Sequence, residues 1–244
     1  MKLRLIKFIK DFLLFTGLLR IFSPLNNTFQ FIRNFNKLKQ WINRIDKKDL
    51  LINDYYSPKR NYDKRFKLYQ AVLDHYNLSQ KELIYLEFGV ASGQSFFWWL
   101  KQNQNASSKF WGFDTFEGLP EDWGGYKKGE MSHGLDELKH QDPRAEFVKG
   151  IFQDSLPGFL REKGQQISGK SKLIHLDADL FSSTIFSLSQ LYPFLEKGDI
   201  IMFDEFNVAN HEFLAYEIFT ESFYLKLKLI GAQNNFYQCA FIVE

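Results

Sequence analysis

A glutamate followed by a glycine-rich turn is the most informative cluster in this sequence. The run Glu87-Phe88-Gly89-Val90-Ala91-Ser92-Gly93 joins an apolar segment typical of a buried strand to an apolar, helix-like segment, Ser95 to Leu100. Glycines at such a turn adopt backbone angles closed to other residues and let a ligand approach the main chain. Asp114 ends the next predicted strand, where a carboxylate can accept hydrogen bonds from both hydroxyls of a ribose. Together these residues predict a nucleoside-binding site.

The spacing of the glycines argues against a dinucleotide. Counted from Gly89, the fingerprint G-x-G-x-x-G has Ala91 and Gln94 at its second and third glycine positions. A pyrophosphate would lose the close approach to the backbone that those glycines allow, so a nicotinamide dehydrogenase is excluded. Glu87 favours a ligand with a cationic amino-acid end over one with phosphates. S-adenosylmethionine is such a ligand.

Two acidic pairs follow later predicted strands, Asp177 with Asp179 and Asp204 with Glu205. The carboxyl ends of adjacent strands in an open α/β sheet form a crevice, and carboxylates crowded there repel one another unless a cation, a proton or a basic group compensates. We expect a divalent metal, Mg²⁺, held by oxygen ligands. It would lower the pKa of a substrate hydroxyl and fix its oxygen for in-line attack on a methyl carbon. The alternative is that Asp179 or Glu205 caps the following helix.

Asp154 and His175 are less specific candidates. Asp154 follows the predicted strand 145–149, where it either accepts a hydrogen bond from an adenine amino group or caps the helix ahead of Pro157. His175 directly precedes the first acidic pair. A covalent hydrolase is disfavoured because the sequence has no G-x-S-x-G motif and no evident Cys-His pair.

Composition and charge divide the chain in two. The 244 residues are 45% hydrophobic and 25% charged, as expected for one globular α/β domain with an appendage. Residues 1–50 contain eleven Lys or Arg against three Asp, a balance of +8, which leaves 2 − 8 = −6 for residues 51–244. We therefore predict an N-terminal helical extension, 1–50, and a main domain, 51–244. The single cysteine, Cys239, favours a reducing, cytoplasmic location.

Residues 1–22 predict a basic amphipathic helix, which the run Pro24 to Asn27 separates from a second helix. The longest uncharged run in the first helix, between Asp11 and Arg20, has eight residues, against the roughly 20 that a transmembrane helix needs. Lys10 and Asp11 also interrupt the apolar region that a signal peptide requires. Two alternatives remain open, peripheral contact with a membrane surface and packing on the chain's own domain or on a partner subunit in a homo-oligomer.

Strands alternate with helical segments after residue 80, which predicts a doubly wound, mostly parallel sheet. A final hairpin with its turn at Gly231 to Asn235 should place an antiparallel strand at the end of that sheet. The long polar segment from Thr115 to Arg144 is typical of a lid, a binding loop or a disordered excursion. The predicted strands are 83–88, 109–113, 145–149, 172–176, 199–203 and 236–243.

Five segments in the correct order resemble the macrocin O-methyltransferase-like family of class I S-adenosylmethionine-dependent methyltransferases, and the resemblance spans roughly residues 60–244. The segments are Glu87 to Ser95, Gly112 to Pro120, Gly150 to Pro157, His175 to Thr184 and Phe203 to Phe206. The resemblance implies a Rossmann-like methyltransferase domain, a hydroxyl acceptor on a sugar, glycoside or related small molecule, and S-adenosylmethionine with Mg²⁺ as cofactors. It implies cofactor contacts at Glu87, Gly89, Gly93, Ser95, Asp114, Asp154 and Asp177.

The same resemblance implies that Asp177, Asp204 and Glu205 ligate the metal. The characterised sugar methyltransferases pair two aspartates where this chain has Asp204-Glu205, so metal dependence is less firmly implied than cofactor use. Catechol methyltransferases carry a lysine shortly after the first metal aspartate, and Ala178 to Phe181 contains none. This leaves Asp177 or His175 as the expected catalytic base.

The alternative to an enzyme is a catalytically degenerate member of the fold that acts as a nucleoside-binding or membrane-surface module. A nucleic-acid substrate is disfavoured, because the basic residues cluster in the apolar N-terminal helix and the main domain is net acidic.

Overall fold

The computed structural model describes residues 2–123, 125–138 and 140–244. Its α-helices are α1 (Lys2–Thr16), α2 (Asn26–Arg44), α3 (Arg65–His75), α4 (Gln94–Gln102), α5 (Phe152–Ile167), α6 (Phe181–Leu191) and α7 (Glu212–Ser222). Its strands are β1 (Ile84–Phe88), β2 (Lys109–Asp114), β3 (Ala145–Lys149), β4 (Lys172–Leu176), β5 (Ile200–Phe203), β6 (Leu227–Gln233) and β7 (Gln238–Val243).

The seven strands form one sheet in the order β3-β2-β1-β4-β5-β7-β6. Strands β1 to β5 pair in parallel with one another, and β7 runs antiparallel to both β5 and β6. The predicted mostly parallel sheet with an antiparallel C-terminal strand is confirmed. The chain leaves β1 towards β2 and β3 on one side and later returns to β4 on the other. The crevice of such a sheet opens between β1 and β4, beyond their carboxyl ends.

The C-terminal hairpin departs from its prediction in two ways. Its turn is formed by Asn234, Asn235 and Phe236, all with positive φ, and not by a loop starting at Gly231. Gly231 lies inside β6, where a Cβ atom would stand 2.7 Å from Leu68 Cδ1, so its small size serves the packing of α3 on the sheet. In addition, β7 is inserted between β5 and β6, which makes β6 the edge strand.

Aromatic side chains fill the core between α3, α4 and the sheet. The rings of Tyr69 and Tyr85 both pack against Trp99, with ring centroids 5.5 and 6.1 Å apart. The Phe110 ring also packs against the Tyr85 ring, with ring centroids 5.4 Å apart. Burying two tyrosines requires partners for their hydroxyls, and those partners belong to the site described below.

The chain forms two compact units, Met1–Asn43 and Arg44–Glu244. Within the first, α1 ends at Thr16 because Gly17 takes a left-handed conformation (φ 60°) and its N–H donates to Leu13 O at 3.1 Å. The second α-helix begins at Asn26, within the predicted break, but the first ends earlier than predicted, and a 3₁₀ helix, Leu18–Leu25, that contains Pro24 connects the two. Within the described ranges, no helix is both long and apolar enough to cross a membrane.

Candidate active site

A cavity of about 370 Å³ lies at the carboxyl ends of the central strands. Six residues predicted for the site line it, drawn from the ends of β1, β2, β4 and β5 and from the start of α4: Glu87, Gly89, Ser95, Asp114, Asp177 and Glu205. Asp179 lines it as well. Gly93, Asp154, His175 and Asp204 are not among its lining residues.

The two glycines of the turn are needed for contacts within the protein. Gly89 has a φ of 91°, and a Cβ atom there would lie 1.8 Å from the carbonyl oxygen of Asp177. Gly93, the N-cap of α4 (φ 75°), would place a Cβ atom 2.6 Å from the Phe97 ring. The unusual backbone angles predicted for these positions are confirmed. The absence of a side chain at Gly89 lets the ends of β1 and β4 approach closely, and this sets the position of Asp177.

Asp114 fixes the shape of the glycine turn. Its Oδ2 accepts hydrogen bonds from the N–H groups of Val90 (2.8 Å) and Ala91 (2.9 Å), and its Oδ1 accepts one from Phe116 N–H (2.8 Å). A carboxylate has about four acceptor positions, and Thr115 Oγ1 approaches the remaining one, on Oδ1, at the long distance of 3.4 Å. A ligand hydroxyl could take the place of that long contact while the three backbone N–H groups still hold the turn. Ala91 sits at a positive φ of 45° under these contacts.

Glu87 is held from below by a buried hydrogen-bond network. The Tyr85 hydroxyl donates to Glu87 Oε2 and lies 3.0 Å from His175 Nδ1. On the far side of the imidazole, His175 Nε2 lies 3.3 Å from the Tyr69 hydroxyl, which contacts Ser95 Oγ at 3.2 Å. All five side chains are buried. His175 therefore lies behind the cavity wall, and the structure places only Asp177 of the two predicted bases in the cavity.

The carboxylates beyond β4 and β5 lie close together in a buried site, so they repel one another and hold protons more tightly than exposed carboxylates do. The pKa of Asp177 is raised well above its usual value, first by burial and then by the carboxylates of Asp204 and Asp179. Burial likewise raises the pKa of Asp179, and that of Glu205, where the Asp179 carboxyl adds to the effect. Glu212, a fully buried residue in the first turn of α7, has its pKa raised mainly by burial and accepts a hydrogen bond from Glu205 N–H at 2.9 Å.

Part of the compensating charge comes from a residue that the sequence did not single out. Arg65 Nη1 lies 3.9 Å from Asp204 Oδ2, and Arg65 Nη2 donates to Gln94 Oε1 at 2.8 Å. The Tyr62 hydroxyl donates to the same Asp204 oxygen, and burial raises the pKa of Tyr62, helped by Asp177 and Asp204. We expected the crowded carboxylates to be compensated by a cation, a proton or a basic group, and the buried guanidinium of Arg65 is one such cation. Its pairing with Asp204 across 139 positions of the chain has no local sequence signal.

The donor set also fits a hard divalent cation. Within the described part of the chain, ligand atoms of His175, Asp177 and Asp204 lie within 4.8 Å of one another. Asp204 Oδ1 and Glu205 Oε2 are buried without a hydrogen-bond donor, whereas both ring nitrogens of His175 face tyrosine hydroxyls. Of the predicted metal ligands, Asp177 and Asp204 are brought together, and Glu205 lies outside the 4.8 Å group. Carboxylate oxygens without donors are the ligands that Mg²⁺ prefers.

The rim of the cavity comes from two further segments. Thr115, Gly118 and Met131 of the long polar segment line it, so that segment contributes a wall of the site. On the β3 side the lining residues are Ile151, Phe152 and Gln153. Asp154 is exposed in the first turn of α5, and its side chain does not reach the cavity wall.

Comparison with known proteins places this cavity in a family of methyl-transferring enzymes. The model of the Macrocin-O-methyltransferase (TylF) family matches residues 63–232, which include every predicted site residue. A 4'-O-methyltransferase from Streptomyces olivaceus, which acts on 8-demethyl-8-(2,3-dimethoxy-alpha-L-rhamnosyl)-tetracenomycin C, is 27% identical over 133 residues. That match covers 45% of this chain and 46% of the relative, or about half the relative's length.

Two solved structures share the fold. The calicheamicin methyltransferase CalS11 superposes with a TM-score of 0.57 at 21% identity, over 86% of this chain and 91% of that one. The O-methyltransferase NovP superposes with a TM-score of 0.56 at 18% identity, over 73% and 79% of the two chains.

Proposed function

The chain belongs to the macrocin O-methyltransferase family, and from that membership we propose that it transfers a methyl group from S-adenosylmethionine to a hydroxyl of a sugar or glycoside. The observation that carries the proposal is that one cavity unites Glu87, Asp114 and Asp177 from the ends of three strands. A sugar acceptor is supported by the relative from Streptomyces olivaceus, whose substrate carries a methylated rhamnose.

The residues of the cavity suit the parts of the methyl donor. Glu87, buried and fixed by Tyr85, would pair with the ammonium of the cofactor's amino-acid end. Asp114 would accept from a ribose hydroxyl at the one acceptor position, on Oδ1, that the backbone N–H groups leave free. Gln153 lies on the lining where the adenine is expected and offers an amide, so we propose that it, ahead of Asp154, contacts the adenine.

Asp177 is proposed as the general base. It takes the proton of the acceptor hydroxyl, whose oxygen then attacks the methyl carbon of the sulfonium in line with the breaking carbon–sulfur bond. The bonding electrons remain on sulfur, so the products are a methyl ether and S-adenosylhomocysteine, and the proton passes from Asp177 to solvent. Asp177 lines the cavity, and because burial and Asp204 raise the pKa of its carboxyl, its ionised form has a higher proton affinity than an exposed carboxylate.

We propose Asp177 and Asp204 as the residues that would hold Mg²⁺, because their carboxylate oxygens lie within 4.8 Å of each other, whereas Glu205 lies outside that group. When bound, the ion would lower the pKa of the acceptor hydroxyl. Because Arg65 already neutralises part of the charge at Asp204, metal-free protein should remain folded.

A turnover assay with an acceptor panel tests the proposed reaction. Purified protein is mixed with S-adenosylmethionine, Mg²⁺ and nucleotide-linked deoxysugars, glycosides, glycolipids or catechols, and S-adenosylhomocysteine is measured. We expect turnover with a sugar-bearing acceptor and its loss in Asp177→Asn. Cofactor binding without turnover on any acceptor would favour the non-catalytic nucleoside-binding alternative, and turnover on catechols alone would contradict the sugar acceptor.

A further inference from the structure

The first compact unit exposes an unusual amount of apolar side chain. In the described part of the chain 26 large hydrophobic residues are exposed, and seventeen of them lie between Leu3 and Phe35. Every residue of α1 is exposed except the half-buried Leu13. Phe15 is 92% exposed and Leu14 is 74% exposed. Scattered exposed apolar residues are ordinary on a protein surface, but a concentration of this size marks a binding surface.

Almost all the charged residues of the same unit are basic. Residues 1–43 contain eight Lys or Arg and one acidic residue, Asp11, for a net charge of +7, while residues 44–244 carry 2 − 7 = −5. In α1 the basic residues Arg4, Lys7 and Lys10 recur at three-residue spacing and lie on one side of the helix, which they share with Asp11 and Leu14. Leu5, Ile9 and Phe12 occupy the opposite side.

From this combination we propose that residues 2–43, which we call the N-terminal unit, dock the protein on an anionic phospholipid surface. An amphipathic helix with basic residues on one side lies in the bilayer interface, where its apolar side chains enter the acyl boundary and its lysines meet the headgroups. Charge favours this occupant over a symmetric contact with a second copy of the chain. Two copies that met through this unit would bring like charges together, whereas anionic lipid neutralises them.

Vesicle co-sedimentation of the full-length protein tests the proposal. One set of vesicles is phosphatidylcholine alone, and in the other about a third of the lipid is phosphatidylglycerol. We expect binding to the anionic vesicles at least about tenfold tighter than to the neutral ones, weakening with added salt. Equal binding to both compositions, or to neither, would overturn the proposal.

Matched variants test whether vesicle binding depends on the N-terminal unit or on the charge and exposed aromatic residues of the protein surface in general. Lys7→Glu/Lys10→Glu should weaken vesicle binding by about tenfold or more, and Lys197→Glu/Lys226→Glu, with the same change in net charge on the exposed surface of the main unit, should not. Phe15→Ser should weaken binding about fivefold, whereas Tyr224→Ser, at an aromatic residue equally exposed at 92%, should leave it unchanged. Comparable losses in the control variants would contradict the assignment.

Two further measurements keep the outcome interpretable. Circular dichroism and thermal melting of each variant confirm folding before binding is compared. Sedimentation equilibrium without lipid tests the competing occupant. A stable oligomer that Phe15→Ser dissociates, with no binding to anionic vesicles, would assign this surface to a second copy and overturn the proposal. None of these measurements depends on methyl transfer, so their failure leaves the proposed reaction untouched.

Discussion

The Tyr85 hydroxyl lies 3.0 Å from His175 Nδ1 and donates to Glu87 Oε2, which connects the imidazole to the cavity through one buried phenol. His175 itself is not among the lining residues. From its position beneath Glu87 we propose that His175 positions that carboxylate for the cofactor instead of acting as a base.

His175→Gln should therefore weaken cofactor use more than the chemical step. Each lost buried hydrogen bond is worth about 1 kcal/mol, so the KM for S-adenosylmethionine should rise roughly fivefold to tenfold with a smaller change in kcat. Tyr85→Phe, which removes the donor to Glu87, should behave in the same way. A fall in kcat of about 10²-fold or more at unchanged KM, as expected for loss of a general base, would restore His175 as the base.

Gly89→Ala should disrupt the contact between β1 and β4. The added methyl group would overlap the Asp177 carbonyl, a backbone atom that cannot rotate away. Gly129→Ala is the matched control, since Gly129 has nearly the same φ (87° against 91°) but has no atom within 4 Å of its Cβ position. In urea unfolding, we expect Gly129→Ala to cost about 1 kcal/mol and Gly89→Ala at least about 2 kcal/mol more. Equal costs would show that backbone angle alone requires glycine at position 89.

Arg65→Met should destabilise the metal-free protein by about 3 kcal/mol, because it leaves the buried Asp204 carboxylate without its cation. Asp204→Asn in the same chain should recover part of that loss, since the uncompensated charge is then removed. The double-mutant cycle is measured by urea unfolding in the presence of a chelator. Additive effects would mean that the guanidinium and the carboxylate do not interact.

Stability without metal should fall as pH rises above the ordinary carboxyl range. Burial raises the folded-state pKa of Glu212 above its unfolded value, so the folded state binds more protons between the two values. The stabilising contribution is complete below the unfolded pKa, about 4.3, and is lost as pH rises through the folded pKa. Glu212→Gln should flatten this pH dependence by up to about 1.4 kcal/mol per pH unit. A profile unchanged by the substitution would contradict the raised pKa.

Mg²⁺ should raise the melting temperature of the wild-type protein, because an ion that binds only the folded state stabilises it. Asp177→Asn and Asp204→Asn should abolish that increase, and Asp154→Asn, at an exposed position outside the cavity, should retain it. No increase at millimolar Mg²⁺, or an equal increase in all four proteins, would contradict a site at the ends of β4 and β5.

The parts of the fold that depend on residues close together in the sequence were predicted correctly. The apolar strands and the glycine turn predicted the parallel sheet and brought Glu87, Asp114 and Asp177 to one edge. The predictions were wrong where a residue contacts a part of the chain that is distant in sequence. Gly231 suggested a turn, but it lies in a strand, where a larger side chain would clash with Leu68. The actual turn uses three consecutive left-handed residues that start at Asn234, a pattern with no glycine to mark it.

The rest of the candidate site depends on pairings that only the fold reveals. Arg65 reaches Asp204 from a helix that precedes the sheet, and Tyr85 lies two positions before Glu87 on the same face of β1. Because side chains alternate along a strand, the sequence could have suggested the contact between Tyr85 and Glu87. It could not have shown that His175, on β4, also contacts the Tyr85 hydroxyl.

Calorimetric titration of the full-length protein with S-adenosylmethionine tests the central claim most directly. We expect one binding site per chain, with affinity reduced about tenfold to a hundredfold in Glu87→Gln, because that change removes a charged partner of the cofactor's ammonium and keeps the shape of the side chain. Absence of binding by the folded wild-type protein at millimolar cofactor would contradict the proposed function, and so would equal affinity in the two proteins.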